Sequence, residues 1–268
     1  SIERRKMLAL LGAELVLTGI HLGGYGQDLR PKMDLTSLLE KIVARRLIPR
    51  LRLSSLDPRE VPERLLRLMA HSDALCPHLH VCAQAGEDRI LKQMRRNYDT
   101  ACYRDIITAA IAMLPEAALG SDIIVGFPGE SDEDFDRSIE FFDSLPLTYF
   151  HVFPYSVRSG TAAAVLPDKV PQAIKKERAR RMRELGAKKK REFCRRFIGR
   201  RLPVLVERAA EAKSGALKGY SRNYLPVLVH AEENRINCEV DVAIDALAEG
   251  WLRGKIVEAA ISGEAVSS

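Results

Sequence analysis

The sequence predicts an α/β protein in which an incomplete, open (β/α)6 barrel is followed by a small β-barrel. Up to about residue 156, apolar runs of strand length alternate with stretches of helical spacing. This alternation is the pattern of a parallel sheet covered by helices. A long basic stretch comes next, and beyond residue 199 short β-rich runs are separated by turn residues, which is typical of small closed barrels.

The first part contains five predicted strands, each placed after a helix. Helices are predicted at residues 2–11, 35–47, 62–71, 100–114 and 133–145. Strands are predicted at residues 13–20, 50–56, 78–84, 119–127 and 149–155. Because the pattern opens on a helix, we expect a six-strand open barrel that lacks its first strand and is related to the eight-strand form.

The second part begins with a basic helix predicted over residues 172–198, which Gly199 ends. At 1.5 Å per residue this helix would be roughly 40 Å long. Strands are predicted at residues 202–207, 218–230, 236–244 and 251–257. We therefore divide the chain into an α/β domain that includes the basic helix (residues 1–198), a small β-barrel (residues 199–260) and a disordered tail (residues 261–268).

The composition argues against a membrane-spanning protein and against a disulfide framework. No apolar run approaches the roughly 20 residues of a membrane helix. The cysteines are odd in number and irregularly spaced, which favours a reducing, cytoplasmic setting. They are Cys76, Cys82, Cys102, Cys194 and Cys238. Because none of them has the tight grouping of a loop-bound iron–sulfur cluster, we interpret all five as ordinary thiols.

Positive charge is concentrated in one segment. Residues 175–201 hold 14 Lys or Arg and 3 Glu, whereas the whole chain of 268 residues has a net charge of only +6. Such a local excess indicates an anionic partner, for which RNA is the main candidate. The alternative is a basic helix face that contacts only solvent. The predicted RNA-binding residues are Lys188, Lys189, Lys190, Arg191, Arg195 and Arg196.

Candidate ligand-binding residues stand where the predicted strands end, because parallel βα folds place their sites at the carboxyl ends of the strands. The five ends offer the glycine-rich run 18–26, Ser54 with Ser55, Gln84, Gly126 and Arg158. Each has an ordinary alternative, such as a βα loop, a turn into the next helix or a surface arginine.

His78 and His80 share one face of the third predicted strand. Two histidines on one face could ligate a metal ion. Without a third ligand, packing or hydrogen bonding is the better interpretation, so we predict no metal site.

The strand-end strings together resemble one family. They are LVLTGIHLGGYG, RLRLSSLDP, HLHVCAQAGEDRILKQMRR, SDIIVGFPGE and HVFPYSVRSGTAA, and they span residues from about 10 to 165. In this order they resemble the methylthiotransferase family of radical-SAM enzymes. The C-terminal part is similar to the TRAM domain of these enzymes, a small RNA-binding β-barrel.

The resemblance implies S-adenosylmethionine (SAM) and two [4Fe–4S] clusters as cofactors. In the family, one cluster is held by a CxxxCxxC motif and the other by three cysteines of an N-terminal domain. Neither cysteine set is present in this chain. The resemblance therefore assigns no catalytic residue and no metal ligand to it.

The same resemblance implies which residues line the SAM pocket. Thr18 and Gly19 are expected near the methionine moiety, and Ser54 and Gln84 near the ribose or the reacting centre. Ile124 and Gly126 are expected beside the adenine, and Arg95 is expected to offer a cation to a carboxylate. A flat adenine requires a close, Cβ-free approach, which a strand-end glycine permits.

Three branches of the family are compatible with the sequence. One modifies N6-threonylcarbamoyladenosine beside the tRNA anticodon, one modifies N6-isopentenyladenosine at the same place, and one modifies an aspartate of a ribosomal protein. The string TGIHLGGYG looks most like the first branch, so we expect a tRNA anticodon loop as the substrate. A cluster-free RNA-binding remnant and an unrelated (β/α) barrel enzyme are two further hypotheses.

Overall fold

The computed structural model describes residues 13–46, 48–210, 215–230 and 232–257. The predicted helix at 2–11 and the predicted tail at 261–268 lie outside the described residues. The chain divides after Phe193 into two compact units. None of the described helices is both long and apolar enough to cross a membrane.

The first unit alternates strands and helices. Its strands are β1 (Leu15–Leu17), β2 (Leu51–Leu53), β3 (Ser55–Leu56), β4 (His78–Val81), β5 (Ala118–Val125) and β6 (Tyr149–Pro154). Its helices are α1 (Leu35–Ala44), α2 (Glu63–Ala70), α3 (Asp88–Gln93), α4 (Thr100–Met113), α5 (Asp132–Ser144) and α6 (Gln172–Arg195), whose last two residues belong to the second unit. The short helix α3 was not predicted from the sequence, and the other helices agree with the predictions to within a few residues.

All strand pairs of the first unit are parallel. β1 pairs with β2, and β3, β4, β5 and β6 form a second sheet in that order. Only Ser54 separates β2 from β3, so the single strand predicted at 50–56 is interrupted at this residue. The parallel, helix-covered arrangement confirms the predicted α/β class.

Polar residues cap the N-termini of three helices in the first unit. Asp34 and Asp99 cap α1 and α4 by accepting hydrogen bonds from the backbone N–H groups of Ser37 (2.7 Å) and Cys102 (2.8 Å). Ser131 opens α5 with a reciprocal capping box. These bonds satisfy N–H groups that have no partner inside the helix. Each cap therefore fixes the residue at which its helix begins.

The second unit is a closed five-strand barrel with the order β10-β11-β9-β8-β7. Its strands are β7 (Arg201–Ala210), β8 (Leu217–Ser221), β9 (Pro226–Val229), β10 (Glu239–Ala248) and β11 (Trp251–Ile256). This finding confirms the expected C-terminal β-barrel.

The prediction of one strand at 218–230 was wrong, because the chain reverses inside it. Ser221 Oγ accepts from the backbone N–H of Leu225 (2.9 Å), and Tyr224 has a φ of +62°. These features form a turn, and β8 and β9 pair with each other in antiparallel fashion. The sequence did not indicate this turn, because neither Tyr nor Leu, which occupy positions 224 and 225, is a common turn residue.

The core of the first unit provides a test of the packing. Phe142 on α5 is fully buried, and its ring lies 5.3 Å from that of Phe141 and 5.7 Å from that of Phe150. We expect Phe142→Ala to lower the free energy of unfolding by about 3–5 kcal/mol, because it removes buried apolar surface and leaves a cavity. Urea denaturation followed by circular dichroism measures this change.

The matched control is Val165→Ala, because Val165 is 85% exposed. We expect it to change the free energy of unfolding by no more than about 0.5 kcal/mol. Equal losses of stability in the two variants would contradict the assigned core.

Candidate functional site

A cavity of about 480 Å³ opens at the carboxyl ends of β4, β5 and β6. Its lining is Gln84, Asp122, Ile124, Phe153, Pro154, Tyr155, Ser156, Arg158, Thr161 and Ala163. The cavity combines apolar surface with an amide, a carboxylate, a guanidinium and hydroxyl groups. It lies at the edge of the sheet where ligand sites occur in parallel α/β folds.

Main-chain hydrogen bonds beyond the end of β4 hold Gln84 at one side of the cavity. Gln84 has a φ of +67°, its N–H donates to the Asp122 carbonyl (2.9 Å), and its own carbonyl accepts from the N–H of Ile124 (2.8 Å). These bonds hold Gln84 beside β5. The structure thus brings together two of the seven residues expected to bind SAM, Gln84 and Ile124, and adds Arg158 from the fifth strand end.

The remaining residues expected to bind SAM are not among those that line this cavity. Thr18 and Gly19 are exposed after β1, and Arg95 is exposed just beyond α3. Ser54 is joined to the same edge, because its N–H donates to the Leu17 carbonyl (2.9 Å). The Ser54 hydroxyl is buried without a hydrogen-bond partner among the described residues, so this atom is available to a bound polar group.

Gly126 contacts helix α6 rather than the cavity. Its φ is +72°, and a Cβ atom at this position would overlap the methylene groups of Lys175. The Gly126 N–H donates to Glu130 Oε2 (2.6 Å), and the same carboxylate accepts from Arg178 of α6 (2.6 Å). The absence of a Cβ therefore lets the helix approach the end of β5.

The Glu130–Arg178 pair is almost completely buried, with 3% and 5% of the side chains exposed. Burial raises the pKa of Glu130, although the Gly126 N–H and the Arg178 guanidinium oppose that rise. Lys175 also donates from α6 to the Tyr155 carbonyl (3.1 Å) at the cavity wall. These contacts anchor α6 to the ends of β5 and β6. The sequence did not predict them, because charged residues in a basic helix are expected on the solvent side.

A second polar cluster faces the same side of the sheet. Asp122 Oδ1 accepts from His80 Nε2 (2.9 Å) and His151 Nδ1 (3.2 Å), and Asp122 Oδ2 accepts from Cys82 Sγ (3.5 Å). The Tyr149 hydroxyl lies 3.0 Å from His80 Nδ1 and 2.7 Å from His78 Nε2. The cluster joins strands β4, β5 and β6 and adjoins the cavity through Asp122.

The surroundings of this cluster set its charges. Burial opposes ionisation of Asp122, but the hydrogen bond from His80 and its electrostatic interaction with the carboxylate outweigh it and lower the Asp122 pKa. Burial lowers the pKa of His78 well below its ordinary value, so its ring is neutral at neutral pH. Burial, aided by the Asp122 charge, raises the pKa of the Cys82 thiol to about 12.

Glu14 and two arginines form a buried ion cluster before β1. Arg50 and Arg52 are 1% and 3% exposed. Arg50 Nε donates to Glu14 Oε2 (2.8 Å), and Arg52 Nε donates to Glu14 Oε1 (2.8 Å). Burial alone would raise the pKa of Glu14, but these hydrogen bonds and the two positive charges outweigh it and lower the pKa.

The residues expected to bind RNA differ in exposure. Lys190 and Arg191 on α6 are exposed, and Lys188 is exposed beside Asp143 (3.4 Å). Lys189 is buried and donates to the carbonyls of Asp143 and Leu145, both at 2.7 Å. Arg195 and Arg196, in the second unit, are exposed. The exposed residues supply positive surface, whereas the Lys189 ammonium forms hydrogen bonds inside the first unit.

Comparison with known proteins identifies the fold of the first unit. Residues 3–142 match the family model described as the Radical SAM superfamily. The chain belongs to the Radical SAM superfamily. A solved structure, the radical-SAM coproporphyrinogen III oxidase HemN of Escherichia coli, superposes with a TM-score of 0.50 at 15% identity, over 67% of this chain and 42% of that one. This likeness concerns the fold alone.

Two curated relatives of this radical-SAM chain carry tRNA-modification names. The threonylcarbamoyladenosine tRNA methylthiotransferase MtaB of Aquifex aeolicus is 39% identical over 206 residues, which are 76% of this chain and 50% of the relative. A tRNA-2-methylthio-N(6)-dimethylallyladenosine synthase of Pelotomaculum thermopropionicum is 34% identical over 90% of this chain and 54% of the relative. The chain thus spans about half the length of the curated relatives it matches.

Membership of the superfamily implies SAM and a [4Fe–4S] cluster as cofactors. The cavity fits part of SAM, since Ile124 and Phe153 offer apolar surface and Gln84 and Arg158 offer hydrogen-bond donors. The cysteines of this chain do not fit a cluster, because no three of them have the CxxxCxxC spacing.

Acid should destabilise the protein through Glu14. A carboxyl group whose pKa is lowered by folding stabilises the native state above its ordinary pKa of 4.5, and that stabilisation is lost as the pH falls through the lowered value. We expect the free energy of unfolding to fall below pH 4.5 and Glu14→Gln to be less stable by about 3 kcal/mol at pH 7. Urea denaturation at a series of pH values measures both effects.

The control is Glu63→Gln, because Glu63 is 66% exposed beside Arg67 on α2. We expect it to leave the pH profile unchanged. A Glu14→Gln variant that keeps the full acid dependence of the unsubstituted chain would show that other carboxyl groups cause it.

Proposed function

We propose that this chain is part of a tRNA methylthiotransferase that adds a methylthio group to carbon 2 of N6-threonylcarbamoyladenosine next to the anticodon. The observation that carries the proposal is the 39% identity to the Aquifex enzyme of that name over 206 residues. The strand-end cavity and the exposed cations of α6 are consistent with it. The place of action would be the cytoplasm.

The first unit would bind SAM at the cavity. When it is bound, SAM would supply a methyl group and, on accepting an electron from a cluster held outside this chain, a carbon radical. Ile124 and Phe153 would cover the adenine ring and exclude water from it. The Gln84 amide would orient the ribose, and the Arg158 guanidinium would pair with the carboxylate. The Ser54 hydroxyl, buried without a partner among the described residues, would gain one from the ligand.

The finer architecture belongs to the same proposal. The five parallel strand positions described, with β2 and β3 as one interrupted strand, would belong to a (β/α)6 barrel. The second barrel would be a TRAM-like RNA-binding domain, with residues 1–198 and 199–260 as the two domains. Two [4Fe–4S] clusters would complete the enzyme through ligands outside this chain.

N6-isopentenyladenosine is a second candidate substrate. The Pelotomaculum relative, whose name specifies the dimethylallyl nucleoside, is 34% identical over 90% of this chain. The two substrates share an adenine with an N6 substituent and differ in its charge and polarity.

Deletion of the gene for this chain tests the reaction. We expect tRNA from the deletion strain to lose 2-methylthio-N6-threonylcarbamoyladenosine and to accumulate the form without the methylthio group, because no other step of the modification is removed. Mass spectrometry of digested tRNA, with the complemented strain as control, measures both nucleosides. Loss of the methylthio group from isopentenyladenosine instead would support the second substrate, and an unchanged nucleoside profile would refute both.

Salt dependence tests the RNA surface. We expect the double variant Lys190→Glu/Arg191→Glu to bind tRNA more weakly than the unsubstituted chain. Its plot of log affinity against log salt should be shallower by about 0.7–0.9 for each phosphate that the protein no longer neutralises. Filter binding over a range of potassium chloride concentrations measures the slope.

A charge-matched control separates a local interaction from net charge. Lys41→Glu/Arg67→Glu makes the same change in charge on α1 and α2, where both residues are exposed. We expect this variant to keep the slope of the unsubstituted chain. Equal changes in the two double variants would assign the effect to net charge and remove the role of α6.

A further inference from the structure

We propose that His80, Cys82 and Asp122 form a binding site for one divalent transition-metal ion, with zinc(II) as the best match. One nitrogen, one sulfur and one carboxylate oxygen of these residues all lie within 4.8 Å of one another. The proposal does not depend on the proposed methylthiotransferase function.

The distances suit a tetrahedral ion after small adjustments. His80 Nε2 and Cys82 Sγ lie 2.9 Å and 3.5 Å from the two Asp122 oxygens. Zinc bonds of about 2.0 Å to nitrogen or oxygen and 2.3 Å to sulfur place neighbouring ligand atoms about 3.3–3.5 Å apart. Because all three ligand atoms lie within 4.8 Å of one another, side-chain movements of no more than about 1 Å would admit the ion between them.

The chemistry of the ligands selects the class of metal. Imidazole and thiolate ligands favour zinc, cobalt and similar ions, whereas magnesium and calcium prefer oxygen ligands alone. Three protein ligands leave a fourth position of the ion for water or another ligand. Asp122 lines the cavity, and 27% of its side chain is exposed, so that position would face the cavity.

The supporting residues resemble those that orient ligands in known metal sites. Ligating histidines usually engage their second ring nitrogen in a hydrogen bond that holds the ring in place. Here His80 Nδ1 lies 3.0 Å from the Tyr149 hydroxyl, which in turn lies 2.7 Å from His78 Nε2. The ligands lie on or directly after the paired strands β4 and β5, which makes their positions rigid.

Metal binding would move one proton from each of two ligands, Cys82 and His80. Without metal, Cys82 is a thiol that donates to Asp122, and His80 Nε2–H donates to the same carboxylate. Metal binding forms metal–sulfur, metal–nitrogen and metal–oxygen bonds and releases the thiol proton to solvent. The His80 ring proton moves to Nδ1, where the Tyr149 oxygen can accept it.

Cobalt(II) is the probe that tests this site, because thiolate ligation gives it a charge-transfer absorption band. The 268-residue chain, stripped of metal with a chelator and kept reduced and anaerobic, is titrated with cobalt chloride. We expect one equivalent of cobalt to bind and the charge-transfer band to appear. Cys82→Ser should abolish the band, and Asp122→Asn and His80→Gln should weaken binding strongly.

The matched controls are other cysteines. Cys102 on α4 is half-buried and Cys238 is exposed, so the double variant Cys102→Ser/Cys238→Ser removes the accessible thiols outside the site. We expect it to keep the band and the stoichiometry. A ligand that binds only the folded state raises the melting temperature of a protein. Zinc should therefore raise the melting temperature of this control and leave that of Cys82→Ser unchanged.

Tyr149→Phe keeps the proposal testable if a ligand variant does not fold. It removes only the hydroxyl group behind His80, and we expect cobalt affinity to fall roughly 10–100-fold with the band unchanged in position. The proposal is overturned if the chain gives no charge-transfer band with stoichiometric cobalt. It is also overturned if the band survives in Cys82→Ser, which would mean only adventitious binding to other thiols.

Discussion

The polar interior of the first unit depends on the packing of Tyr149 against Gly120. A Cβ atom at position 120 would overlap the Tyr149 ring, so only glycine lets this ring lie across β5. From there the hydroxyl reaches both His78 and His80, and His80 reaches Asp122. A substitution of one small residue in the middle of a strand would therefore disturb groups on three strands.

The sequence predicted most of the described strands and helices of the first unit, because alternating apolar runs and helical spacing persist over many residues. It predicted only part of the site. Gln84 was identified as a strand-end residue and Ile124 through the family resemblance, whereas Asp122 was overlooked inside an apolar strand. Its register explains why it matters: Asp122 stands opposite His151 on β6 and is reached by His80 of β4. Contacts between strands far apart in sequence cannot be deduced from spacing along one strand.

Charge composition gave a similarly incomplete description of α6. The local excess of Lys and Arg predicts a basic surface, and Lys190 and Arg191 are indeed exposed. Yet Lys175, Arg178 and Lys189 are buried and donate to carbonyl or carboxylate oxygens at the ends of β5, β6 and α5. Burying such groups is tolerable only because each is hydrogen-bonded. The helix therefore has one face that holds the sheet edge and one that is available to an anionic partner.

Asp122 links the cavity to the histidine cluster, and this link constrains both. The carboxylate accepts from His80, His151 and Cys82, and it also forms part of the cavity wall. A cation-bearing ligand in the cavity would compete with these donors for the same oxygens, and a metal ion at the cluster would withdraw negative charge from the wall. Since SAM carries a sulfonium cation, its binding and metal binding would oppose each other through this carboxylate. The sign of that coupling follows from charge alone, and its size depends on how far the ligand cation lies from Asp122.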